Sequence, residues 1–167
     1  HNTVIVSGCD AHIEKETYMK MPEVDVVVGN NAKLDESIWG EIKKSGRSGF
    51  LGESVRKLKK EKTNILPNFT KRSRAYLEIQ NGCNHSCTFC IIPQGRGLSK
   101  SVPMDTILEK ICNLVNKGFK EIVLTGVDIT CWGSDIAGND KLGDLVNNIL
   151  NKTPNLPRLR LSSLDVS

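Results

Sequence analysis

The chain has 167 residues, 38% of them hydrophobic and 25% charged, with ordinary glycine and proline content, which excludes collagen-like, low-complexity and wholly disordered architectures. That length suits one domain or pieces of two and is too short for a complete eight-fold barrel. Basic residues outnumber acidic ones 23 to 19, so a net charge of +4 permits a nucleic-acid partner without demanding one. No apolar run approaches the roughly 18 residues of a membrane span, and nothing after His1 resembles an export signal, so the expectation is a cytoplasmic protein with no membrane partner.

Two apolar runs, residues 4–6 and 24–28, each lead into a glycine and read as buried strands. Helix formers at 13–18 and the helix-stopping Pro22 lie between them, which predicts a β-α-β unit with parallel strands. After Gly29, Asn30 and Asn31 are placed to cap a helix carrying Leu34, Ile38 and Ile42 at spacings of four, and Gly46 and Gly49 close the regular pattern. Residues 56–74 then hold eight basic side chains against one acid, a local +7 that leaves −3 for the rest. With Pro67 inside it and no apolar periodicity, this stretch reads as a connector between domains.

Residues 74–80 alternate Ala75, Leu77 and Ile79 as a strand would, and a cysteine group follows at once. Pro103 suits a first helical position, Ile107, Leu108, Ile111, Leu114 and Val115 form one helical stripe, and Gly118 ends it. A second strand is expected at 121–125, a helix through Leu142, Leu145, Val146, Ile149 and Leu150, and a third strand at 158–163. Strands alternating with helices at this spacing predict a parallel sheet with right-handed crossovers, whose sites gather at the carboxyl ends of the strands.

Of the six cysteines, Cys83, Cys87 and Cys90 fall within eight residues at a Cys-x3-Cys-x2-Cys spacing, while Cys9, Cys112 and Cys131 are scattered. In a reducing compartment such a cluster reads as thiolate ligands and not as disulfides. An iron–sulfur cube usually takes four cysteines, so three on one loop leave an iron open to another ligand. The alternative on the residues alone is structural zinc, with His85, Cys112 or Cys131 as fourth ligand. Cys112, beside the helical stripe, and Cys131, near Trp132, otherwise read as ordinary thiols.

The loop Gly82-Cys83-Asn84-His85-Ser86-Cys87-Thr88-Phe89-Cys90 resembles the cluster motif of the radical S-adenosylmethionine superfamily, and within it the methylthiotransferases. The resemblance extends to residues 74–82, 91–97, 121–127 and 160–164, nearly the whole chain. It implies an α/β fold made of a partial flavodoxin-like N-terminal domain (1–55), a basic linker (56–73) and the first half of a radical SAM (βα) partial TIM-type barrel (74–167). It also implies that Cys83, Cys87 and Cys90 hold a [4Fe-4S] cluster that binds S-adenosylmethionine. Ser7-Gly8-Cys9 resembles the third cysteine position of an auxiliary [4Fe-4S] cluster, whose other two would precede His1 in a longer protein. Phe89, Gly126, Ser162 and Ser163 are expected near the S-adenosylmethionine, and Lys57, Lys59, Lys60 and Lys62 against RNA phosphates. The Thr125-Gly126-Val127-Asp128 turn looks most like the branch acting on N6-threonylcarbamoyladenosine at tRNA position 37. The implied activity abstracts hydrogen from C2 of that base with a 5'-deoxyadenosyl radical, inserts sulfur at or through the auxiliary cluster, and methylates it with a second S-adenosylmethionine. It needs a tRNA anticodon loop, an electron donor and a sulfur source. The competing readings are methylthiolation of isopentenyladenosine-37 tRNA or of a ribosomal-protein aspartate, and a non-catalytic zinc-stabilised RNA-binding module. A separated fragment is expected to be inactive.

Overall fold

The computed structural model describes residues 2–45, 48–52 and 73–165. They fall into two compact units, the first drawn from residues 1–59 and 84–98, the second from 60–83 and 99–167. Both are mixed α/β with parallel sheets.

In the first unit, β1 (Ile5–Ser7), β2 (Val26–Val28) and β3 (Gly49–Leu51) form a parallel sheet in that spatial order. β2 is the central strand, and its three valines are buried on both faces, as a strand in a covered parallel sheet requires. α1 (Cys9–Ile13) and α2 (Lys15–Met19) make the expected crossover from β1 to β2. The Asn30 and Asn31 cap does not form. A 3-10 turn, Ala32–Leu34, intervenes, and Asp35 caps α3 (Glu36–Ser45) by accepting from the Ser37 backbone N–H at 3.1 Å. Where the glycines were expected only to end the pattern, Gly49 begins β3. Three residues are too few to show periodicity, and pairing with β2 makes them a strand. The unit also holds α4 (Ile92–Arg96), another element without a sequence signal; Pro93 occupies its first turn, where no amide hydrogen is needed.

The second unit has a parallel sheet in the order β4 (Arg74–Glu78), β7 (Glu121–Thr125), β8 (Arg158–Leu161), joined by α5 (Met104–Asn116) and α6 (Leu142–Lys152). This is the predicted β-α-β-α-β order. Pro103 sits one residue earlier than expected, as the residue preceding the helix, and Gly118 adopts φ +90° just beyond its end. The strand predicted over 74–80 is interrupted at Ile79, after which β5 (Gln80–Asn81) pairs antiparallel with β6 (Lys100–Ser101).

The two faces of this sheet differ chemically. Ala75, Leu77, Ile122 and Leu124 pack with Ile107, Ile111, Leu145 and Ile149 of the helices in one core. The opposite face presents Arg74, Tyr76, Glu121, Arg158 and Arg160. Glu121, itself buried, receives Arg74 Nε at 2.7 Å, Arg160 Nε at 2.6 Å and Arg158 Nη1 at 3.1 Å. Burial alone would raise the Glu121 carboxyl, but hydrogen bonds from the three guanidinium groups prevail and hold it below the usual carboxylate range.

Candidate functional site

The cysteine loop leaves the carboxyl end of β4 through Gln80. This side chain is fully buried, and its Nε2 donates to Gly82 O at 2.7 Å and Ser99 Oγ at 3.0 Å. Its Oε1 accepts from the backbone N–H groups of Val127 and Asp128, both at 2.9 Å. Gly82 then turns the chain with φ +74°, a conformation that favours glycine, and delivers Cys83.

Cys83 is buried at 8% exposure in the second unit; Cys87 is exposed and Cys90 half-buried in the first. The Cys90 N–H donates to Cys87 O at 3.1 Å, closing a tight backbone turn between the last two cysteines. None of the six cysteines is joined in a disulfide, as a ligand role requires. Three soft sulfur donors on one loop fit an iron–sulfur cluster with one iron left open.

The turn after β7 is built around Asp128. Asp128 is 5% exposed and caps the 3-10 turn Ile129–Cys131, accepting from the Thr130 N–H at 3.2 Å, from the Thr130 hydroxyl, and from Cys131 Sγ at 2.9 Å. The Asp-x-Thr spacing is the available signal, since an Asp side chain commonly accepts from the backbone two residues on. A carboxylate oxygen of Asp128 and the Cys83 sulfur lie within 4.8 Å of each other. The hydrogen bond to Asp128, burial and the Asp128 charge push the Cys131 thiol up to about 11. At neutral pH Cys131 is therefore a protonated donor to Asp128.

Of the residues expected near the cofactor, Gly126, Ser162 and Ser163 follow the carboxyl ends of β7 and β8. Gly126 is required by packing, because a Cβ there would lie 2.7 Å from Gln80 O, from Gln80 Oε1 and from Ile129 Cγ2. Ser162 turns both its N–H and its hydroxyl to Leu124 O, each at 3.1 Å, extending the β7–β8 contact beyond the strand. Ser163 adopts φ 55°, and its carbonyl accepts from Ile129 N at 3.3 Å. Phe89 is 91% exposed, so its ring does not fill space beneath the loop. Lys57, Lys59, Lys60 and Lys62 lie outside the described residues.

In the first unit, Gly8 at φ +143° turns the chain from β1 into α1 and places Cys9 at the strand's carboxyl end. Asn30 Nδ2 and Arg96 Nε each approach Cys9 Sγ at 3.4 Å, and Asn30 Nδ2 also donates to Gly95 O at 2.7 Å. A Cβ on Gly95 would lie 2.9 Å from Cys9 Cβ, so the glycine is what lets α4 approach this closely. Burial raises the Cys9 thiol, but the hydrogen bonds from Arg96 and Asn30 and the charges of Arg96 and Lys33 outweigh it and hold the thiol below its ordinary value. Asn30 and Arg96 had no sequence signal as partners of Cys9, being 21 and 87 residues away.

The profile of the Radical SAM superfamily matches residues 77–162. Across 98% of its length the chain is 42% identical to the threonylcarbamoyladenosine tRNA methylthiotransferase MtaB of Rickettsia prowazekii and 35% identical to that of Bacillus subtilis. It is also 34% identical, over 95% of its length, to the ribosomal protein uS12 methylthiotransferase RimO of Prochlorococcus marinus. The chain spans 38%, 36% and 35% of these three proteins, little more than a third of each.

Proposed function

We propose that this chain, which belongs to the radical SAM superfamily, is part of a methylthiotransferase that modifies C2 of N6-threonylcarbamoyladenosine at tRNA position 37. Superfamily membership implies a [4Fe-4S] cluster and S-adenosylmethionine as cofactors, and the Cys-x3-Cys-x2-Cys spacing of the Cys83 loop carries this reading. When bound, the reduced cluster would cleave S-adenosylmethionine to supply the radical that removes hydrogen from the base.

In this reading Cys83, Cys87 and Cys90 ligate the radical-generating cluster, and Cys9 contributes one ligand to an auxiliary cluster where sulfur is inserted. Gln80 and Asp128 set the buried polar floor beside Cys83. Gly126, Ser162 and Ser163, at the carboxyl ends of β7 and β8, and the exposed ring of Phe89 border the S-adenosylmethionine. Lys57, Lys59, Lys60 and Lys62 belong to a basic linker, 56–73, that meets phosphates of the anticodon loop. Residues 1–55 form part of a flavodoxin-like domain and 74–167 the first half of a barrel; the α-β alternation and parallel pairing of both sheets support this. The reaction needs an external electron donor, a sulfur source and a second S-adenosylmethionine as methyl donor, and its tRNA substrate implies a cytoplasmic enzyme.

The tRNA substrate is favoured by the MtaB relatives, and the RimO likeness supports the second reading, methylthiolation of a ribosomal protein. Mass spectrometry of tRNA nucleosides and of ribosomal proteins from a strain lacking the gene separates them. Loss of the methylthio group from threonylcarbamoyladenosine alone is expected. Intact tRNA nucleosides with an unmodified ribosomal protein would overturn the tRNA assignment.

A further inference from the structure

We propose that Gln80 is a positioning residue that locks the cluster loop to the turn after β7, so that the cofactor site and Cys83 keep one relative geometry. The inference rests on the reading of that loop and turn as the cluster and S-adenosylmethionine site. A primary amide offers two donors and two acceptor lone pairs, and Gln80 uses all of them while fully buried. One end holds the carbonyl of Gly82, the residue before Cys83, and the hydroxyl of Ser99, the residue before β6. The other end holds two consecutive amides, Val127 and Asp128, of the opposite turn. Gly126 makes the contact obligatory from the other side, since a Cβ there would strike both Gln80 O and Gln80 Oε1 at 2.7 Å. Across this bridge an Asp128 carboxylate oxygen and the Cys83 sulfur stand within 4.8 Å. Replacing the amide with an apolar side chain of the same length strands two N–H groups and a carbonyl in the protein interior. The turn and the loop are then free to separate.

The test uses the full-length protein, reconstituted anaerobically, with S-adenosylmethionine as the probe. Gln80→Met, Gln80→Glu and the core control Ile111→Val are compared by iron content, by binding of S-adenosylmethionine, and by the change it induces in the electron paramagnetic resonance signal of the reduced cluster. The expected result is at least a tenfold weaker affinity and a lost or altered spectral response in both Gln80 variants. Ile111→Val, which also loses core packing, should respond like the parent. If Gln80→Met does not fold, Gln80→Glu decides the matter, because it keeps the acceptor for Val127 and Asp128 but cannot donate to Gly82. Affinity within twofold of the parent and an unchanged spectral response in the folded Gln80 variants would overturn the role of Gln80. Cys83→Ala distinguishes failure of the underlying reading: iron content independent of that cysteine defeats the cluster assignment itself.

Discussion

Replacing Gly126 with alanine adds one methyl group at a position where three atoms already stand 2.7 Å away: Gln80 O, Gln80 Oε1 and Ile129 Cγ2. Ordinary contacts of a carbon lie near 3.5 Å, so each must yield by roughly 0.8 Å or the turn must move. Overpacking of this kind costs about 1–3 kcal/mol. Displacing Gln80 Oε1 also weakens its bonds from Val127 and Asp128, and one stranded buried amide adds about 1–3 kcal/mol. The expected total of about 2–6 kcal/mol is a large part of the usual 5–15 kcal/mol of domain stability. Urea unfolding of the unliganded protein should show it as a lower midpoint at unchanged slope. With a slope near 2 kcal/mol/M, a loss of about 3 kcal/mol moves the midpoint by about 1.5 M. Gly143→Ala in α6, where the added Cβ meets nothing within 4 Å, is the control and should gain up to about 1 kcal/mol. A Gly126→Ala protein as stable as its parent would refute the packing argument; if it also bound S-adenosylmethionine poorly, the glycine would serve close approach of the cofactor instead.

Three further outcomes follow from the electrostatics. Because the folded Glu121 carboxyl lies below its ordinary value of 4.5, its contribution is fully present above that pH and is lost as pH falls through the lower folded value. Thermal melts between about pH 3 and 6 should lose this component in Glu121→Gln, together with a lower midpoint at pH 7; identical pH profiles would count against the arginine cluster. Asp128→Asn removes the hydrogen bond and charge that hold the Cys131 thiol up at about 11, so Cys131 should be alkylated faster at pH 8, read per residue by mass spectrometry. Arg96→Leu should slow alkylation of Cys9 at pH 7, since it removes both a hydrogen bond and a positive charge from the thiol; an unchanged rate would mean that Arg96 does not reach the sulfur in solution.

Much of the fold was readable because the relevant interactions are local or periodic. The stripe from Ile107 to Val115 specifies α5, with Pro103 and Gly118 at its limits, since a helix buries one face every 3.6 residues. The alternation of Ala75, Leu77 and Ile79 specifies β4 for the same reason at period two, and the cysteine spacing announces the ligand loop directly. β3 and α4 escaped: one is three residues long and the other is a five-residue helix holding a proline and a glycine, too short for any period to emerge. Asn30 and Asn31 had the composition of a cap, but Asp35 stood nearer the helix and Asn30 turned to Cys9.

The sequence by itself therefore determined the alternation of strands and helices, the cysteine loop and the thiolate chemistry that loop can support. Tertiary structure alone decided that Gln80, which reads as one more strand residue, bridges the loop to a turn 47 residues away. It also decided that Gly126 is held by packing, that Cys131 meets Asp128, and that Asn30 and Arg96 converge on Cys9. The reason is physical: periodicity reports which face of an element is buried, whereas hydrogen-bond partners and steric limits depend on which distant residues the packed core brings within 3–4 Å.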